Sequence, residues 1–155
     1  MKNKDFTSIL ELPPDAIRKR QKTRGWALSF VGLIVYGILR LFRCKPKDYC
    51  GICPYFEIGE NWGGLEMGWF FICCRNASDN TKMHEVGHGI QNAGVGGLRM
   101  LCLSIGSALR YWARELFGAK TPYDSWWFEG QATELGTKYV NRIKETDNHE
   151  TENRH

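Results

Sequence analysis

The sequence predicts a small α+β domain with two long helices that share a face, a small antiparallel sheet and an apolar helix near the amino terminus. Three observations carry that reading. Apolar residues recur at helical spacing over 78–94 and again over 125–144. Two aromatic stretches, 55–58 and 68–73, flank the turn-forming run Glu60-Asn61-Trp62-Gly63-Gly64. The third is an unbroken uncharged run over 26–39. With 155 residues, a net charge of +4 and negative mean hydropathy, the chain suits one compact core and at most one membrane segment.

The pattern divides the chain into a flexible basic segment (1–24), an apolar helix (25–43), a folded domain (44–145) and a flexible polar tail (146–155). Arg18, Lys19, Arg20, Lys22 and Arg24 precede the apolar helix, and Arg40, Arg43, Lys45 and Lys47 follow its core. At about 18 residues it reaches only the lower end of a spanning helix. Its charges are too symmetric for the positive-inside rule and suit a helix lying in an anionic interface. The expected partner is membrane lipid rather than nucleic acid, and the expected location is a membrane, on its cytoplasmic face. The segment starts late and ends in basic rather than small residues, unlike an ordinary secretory signal.

The chemistry lies in His84-Glu85-Val86-Gly87-His88. Positions i and i+4 of a helix stack on one face about 6 Å apart, so both imidazoles can ligate one ion. Glu85 points roughly 100° around the helix from its neighbour, where it can meet a water on that ion. Ser78-Asp79-Asn80-Thr81 supplies cap residues before the motif, and Gly94 a stop after it. Met83, Val86 and Ile90 form an apolar stripe, and Gly87 and Gly89 predict close approach of a neighbouring segment.

A catalytic zinc site needs a third protein ligand. The extended pattern HExxHxxGxxH fails, because Gln91 replaces its glycine and Gly94 stands at the third histidine. The other histidines, His149 and His155, lie in the polar tail, so a carboxylate from a second helix is required. Helical phase chooses it. Over 125–144 the buried stripe is Phe128, Ala132, Leu135, Tyr139 and Ile143. Glu129 shares a face with Ala132, Gly136 and Val140, which permit close helix packing, whereas Glu134 shares one with Gly130, Lys138 and Asn141. Glu129 is the expected ligand.

These two helices resemble the gluzincin type of zinc metallopeptidase. Trp126-Trp127-Phe128-Glu129-Gly130-Gln131-Ala132 is similar to the W-x-N-E-G-x-A stretch of aminopeptidase N-like enzymes, with Phe128 in place of asparagine. Glu129, Ala132 and Gly136 also resemble the E-x-x-A-D-x-x-x helix of membrane metallopeptidases of the heat-shock and CAAX-prenyl types, with Thr133 in place of the aspartate that would orient a ligating histidine. The resemblance implies a zincin-like domain with His84, His88 and Glu129 on Zn²⁺ and Glu85 as general base. Between the motifs, 98–109 is apolar and too short to span about 30 Å of hydrocarbon. Beyond it, Arg110 is a candidate for binding a substrate carboxylate, and Tyr123 for stabilising an oxyanion.

Among the six cysteines, Cys50-Gly51-Ile52-Cys53 is a CxxC, which Cys44 with Cys73 or Cys74 could complete as a structural zinc site. Reduced, partly buried thiols are the other expectation. The predicted activity is zinc-dependent hydrolysis of peptide or protein substrates. The alternative is a non-catalytic, zinc-stabilised membrane adaptor.

Overall fold

The computed structural model describes residues 6–117 and 127–152. In chain order it contains α1 (Thr7–Leu10), α2 (Pro14–Thr23), α3 (Trp26–Leu41), β1 (Lys47–Tyr49), β2 (Cys53–Glu57), β3 (Gly64–Glu66), β4 (Phe71–Cys73), α4 (Asp79–Val95), α5 (Gly97–Phe117) and α6 (Trp127–Glu152). The architecture is mixed α+β, with one four-stranded sheet beside a helical layer.

The centre of the molecule is the packing of α4 on α6. Ser78 caps α4, its hydroxyl accepting the Thr81 N–H at 3.1 Å. A Cβ at Gly87 would collide with the Ala132 carbonyl, and one at Gly136 with the Met83 carbonyl. The two backbones therefore touch at these glycines, and Val86, Ile90, Ala93, Leu135, Tyr139 and Val140 close the core around them. The expected stop at Gly94 moves two residues on, to Gly96 at φ +72°. Gly94 stays helical as the recess that receives Phe6 and Ile9.

That recess explains a correction at the amino terminus. The segment expected to be flexible contains α1 and α2, with Phe6, Ile9 and Ile17 buried in the same core. The Glu11 and Leu12 carbonyls accept hydrogen bonds from Arg142, and Leu12 also accepts one from the Tyr139 hydroxyl. Two apolar residues, one before and one within a one-turn helix, make no periodic signal; their burial depends on a glycine in a distant helix. At the other end α6 continues through Glu152, past the expected boundary near Lys144. Its last turns are polar, so apolar periodicity ends before the helix does.

The sheet also departs from expectation. Its order is β1-β2-β4-β3, and the central pair β2–β4 is parallel, so the sheet is mixed rather than antiparallel. The expected hairpin does not form because the loop after β2, with positive φ at Gly59, Asn61 and Gly63, carries the chain past β4. β3 then pairs antiparallel with β4 on its far side, through a turn in which Met67 N–H bonds the Phe70 carbonyl. Tyr55 stacks on Phe71 across the central pair, centroids 5.1 Å apart.

α3 matches the predicted apolar run. No single described helix is long and apolar enough to cross a membrane; α2 and α3 pass such a test only together, and they meet at a bend of 99°.

Candidate metal centre

His84 and His88 project from one face of α4, with ring centroids 4.6 Å apart. Glu129 reaches them from the first turn of α6, fully buried. The two Nε2 atoms lie 3.0 Å apart, and each lies 3.1 Å from Glu129 Oε2. Among the described residues this is the one group of three metal-ligating side chains that converges.

The partners of the outer ring nitrogens decide the tautomers. Gln91 donates Nε2–H to the Phe128 carbonyl at 2.9 Å and to Gln131 Oε1 at 3.1 Å, so its own Oε1 faces His88 Nδ1, at 2.9 Å, as an acceptor. The Thr133 hydroxyl donates to the Glu129 carbonyl at 3.3 Å and so accepts from His84 Nδ1, 2.9 Å away. Each neutral ring therefore carries its proton on Nδ1 and turns a lone pair inward from Nε2. Two lone pairs and a carboxylate oxygen meet within 3.1 Å, an arrangement that repels itself unless a cation or a further proton lies among them. The spacing fits an ion: ligand atoms about 2.0–2.1 Å from a tetrahedral zinc lie roughly 3.3 Å from one another.

Glu129 is held further by α5, where the Ser107 hydroxyl donates to Oε1 and leaves Oε2 for the histidines. Burial would raise its pKa, but His84 and His88, which donate to Oε2 when their rings carry a second proton, and the Ser107 hydroxyl outweigh it and hold the carboxyl well below the usual range. Glu85, the neighbour of a ligand, is buried in a different setting. Burial first, then the charge of Glu129, push it up to about 7, against the lowering influence of His84 and of the Glu66 backbone N–H. Its carboxylate lies against β3, where a side chain at Gly64 would collide with it.

Glu66, at the end of β3, is the other buried acid. Burial and the nearby Glu85 raise its pKa well above the ordinary value, while the Gly68 N–H and Asn92 lower it in part. Glu66 and Glu85 both line a small cavity of about 20 Å³, with Gln21, Gly89 and Ile90.

The structure thus brings together His84, His88 and Glu129, with Glu85 beside them. Glu134 points to solvent and pairs with Lys138 at 2.6 Å. Arg110 is half-buried on α5, one turn beyond Ser107. Tyr123 lies outside the described residues. The three cysteines of the expected second site are separated: Cys53 packs in the main core, Cys44 against the Phe56–Phe70–Ile72 cluster, and Cys50 is exposed in the turn after β1. Among the described residues these three do not converge as a group of metal-ligating side chains. Burial pushes the Cys53 thiol far up, as expected of a core residue.

Sequence reasoning missed Ser107 and Gln91. Gln91 stands on the buried side of a helix, where a polar residue requires partners. Ser107 interrupts the apolar run of α5 one heptad after the buried Met100, the spacing of a shared inner face. Thr133, noted as a departure from the aspartate of the membrane peptidases, occupies the orienting position by its hydroxyl. No family model, no curated protein and no solved structure matches this chain.

Proposed function

We propose that this chain is a zinc-dependent metallopeptidase with a gluzincin-type ligand set in a zincin-like domain. The observation that carries the reading is the inward convergence of His84 Nε2, His88 Nε2 and Glu129 Oε2, with both outer ring nitrogens tied to acceptors. A zinc ion held by these three atoms supplies Lewis-acid polarisation of a carbonyl and a bound water that ionises near neutral pH.

The chain's own groups supply the rest. Glu85, on the same helix beside His84, would accept the proton of a metal-bound water on its carboxylate and pass it to the leaving amine. Thr133, Gln91 and Ser107 fix the directions of the ligands, so no reorientation is needed during the reaction. β3 is an edge strand next to Glu85, whose carboxylate takes the Glu66 N–H, and an extended peptide that displaced this contact could add to it as a further strand. His84 is the most exposed of the three ligands, 16 % against 11 % and 0 % for His88 and Glu129, which puts the approach to the site on its side.

The test is metal analysis of the purified full chain together with peptidase assay of wild type and Glu85→Gln. Near-stoichiometric zinc in both proteins, with peptide cleavage by the wild type alone, is the expected result. Protein without zinc refutes the metal site. Zinc retained with cleavage unchanged in Glu85→Gln shows that Glu85 is not the general base, and zinc retained with no cleavage by the wild type assigns the chain to the non-catalytic adaptor reading.

A further inference from the structure

The same helix that holds Glu129 in place through Ser107 turns an exposed apolar stripe outward. On α5, Met100 and Ser107 face the core, while Leu98, Cys102, Ile105 and Leu109 recur on the opposite side and are exposed. α3 packs against α5 and is built alike. Its Ala27, Leu28 and Gly32 face inward, and Trp26, Phe30, Leu33, Ile34, Ile38 and Leu41 form a stripe on the outer side, with Phe30 60 % and Leu41 80 % exposed. Two adjacent helices that each leave their apolar side uncovered exceed the scattered exposure of an ordinary surface.

Charge identifies what covers them. Between positions 16 and 47 the chain carries nine lysines and arginines, five ahead of α3 and four from its last turn onward, and no acidic residue. Between 86 and 114 it carries Arg99, Arg110 and Arg114 and again no acidic residue. Lys47 is taken up by Glu57, but Lys22, Arg24, Arg40, Arg43 and Lys45 are exposed around the two ends of α3. A second copy of this chain would set two basic surfaces against each other, at an electrostatic cost. A spanning arrangement fails on length, since the 16 residues of α3 extend roughly 24 Å against about 30 Å of hydrocarbon. With cations at both ends, the helix satisfies them together only by lying in one headgroup layer.

We propose that α3 and α5 form a two-helix platform that docks in one leaflet of an anionic bilayer, without crossing it. Trp26 and the basic residues sit at the headgroups, and the outer stripes enter the acyl boundary. Leu28 of α3, Met100 of α5 and Phe128 of α6 form one buried cluster, so the platform is continuous with the helix that bears Glu129. The docked protein therefore carries its metal centre at the membrane surface.

The test is flotation of the full chain with vesicles of phosphatidylcholine alone and of phosphatidylcholine mixed with phosphatidylglycerol. The expected result is at least about tenfold stronger binding to the anionic vesicles, weakening as salt is raised. Ile34→Asp on α3 and Leu109→Asp on α5 each lower that binding about tenfold or more, with helix content by circular dichroism unchanged. Equal or absent binding to both vesicle types overturns the proposal. An effect of Ile34→Asp without one of Leu109→Asp overturns the two-helix platform. A vesicle-free dimer that both substitutions dissociate assigns the face to a second copy and overturns it as well. Glu85→Gln binds vesicles as the wild type does, which separates the outcome here from that of the peptidase reading.

Discussion

Glu129 and Glu66 are both buried glutamates close to α4, and their surroundings shift their pKa values in opposite directions. Glu129 faces two imidazoles and a serine hydroxyl, which hold its charge in place despite burial. Glu66 receives the Gly68 N–H at 2.8 Å and the Asn92 amide at 3.4 Å on one oxygen, and its other oxygen has no partner among the described residues. Burial, and Glu85 near it as well, raise its pKa well above the ordinary value. Burial sets the penalty for a charge, and neighbours decide whether the charge survives it. On the Glu129 side of α4 the neighbours could hold a cation; on the Glu66 side burial opposes charge.

Substituting the same way on the two sides breaks this comparison if it is wrong. Glu129→Gln keeps the shape and removes the charge, and zinc affinity is expected to fall by at least about 100-fold, read by competition with a chromophoric chelator. An unchanged affinity would show that Glu129 is not a ligand. Glu85→Gln lies between the two acids. It is expected to retain zinc while cleavage falls about 10²–10⁴-fold in a peptidase assay, the range for loss of a general base. Ser107→Ala and Thr133→Val remove one orienting hydrogen bond each, and each is expected to weaken zinc binding about 10- to 100-fold. If neither does, the ligands are held by packing alone.

The smallest effect is expected from Glu66→Gln, and it has the opposite sign. The folded-state pKa of Glu66 is raised above its ordinary 4.5, so the folded protein holds a proton that the unfolded chain releases over that window. Its contribution is full below about 4.5 and is lost as pH rises through the folded value. Glu66→Gln is therefore expected to flatten the decline of stability toward neutral pH without loss of zinc, measured by denaturant unfolding of metal-free protein across pH. The share of that decline due to Glu85, raised to about 7, remains. A steeper decline in the variant would mean that Glu66 is charged in the folded state.

Much of the centre is legible in the sequence. The histidine pair and Glu85 belong to one helix, and Ser78 caps it at the position its residue type predicts. Helical phase separates Glu129 from Glu134, and the fold buries the first and leaves the second in solvent with Lys138. Gly87 and Gly136 signal close approach, and each meets a carbonyl of the other helix. The sheet is less legible. Alternation and turn residues identify strands but not their order, and a loop that passes β4 instead of returning beside β2 produces a parallel centre. Phe6 and Ile9 carry no local signal of burial, because nothing near them in sequence tells that Gly94 lies opposite.

The sequence by itself determined the histidine face of α4, the burial of Glu129 and the apolar run that forms α3. Each follows from a repeat that one helix imposes on its own residues. Only the tertiary structure decided that Thr133 and Gln91 hold the outer nitrogens, that Ser107 holds the far oxygen of Glu129, and that Cys44, Cys50 and Cys53 stay apart. Those are meetings between elements encoded separately. A contact across 22 or 49 residues is set by how whole helices pack, and no local period in the chain records it.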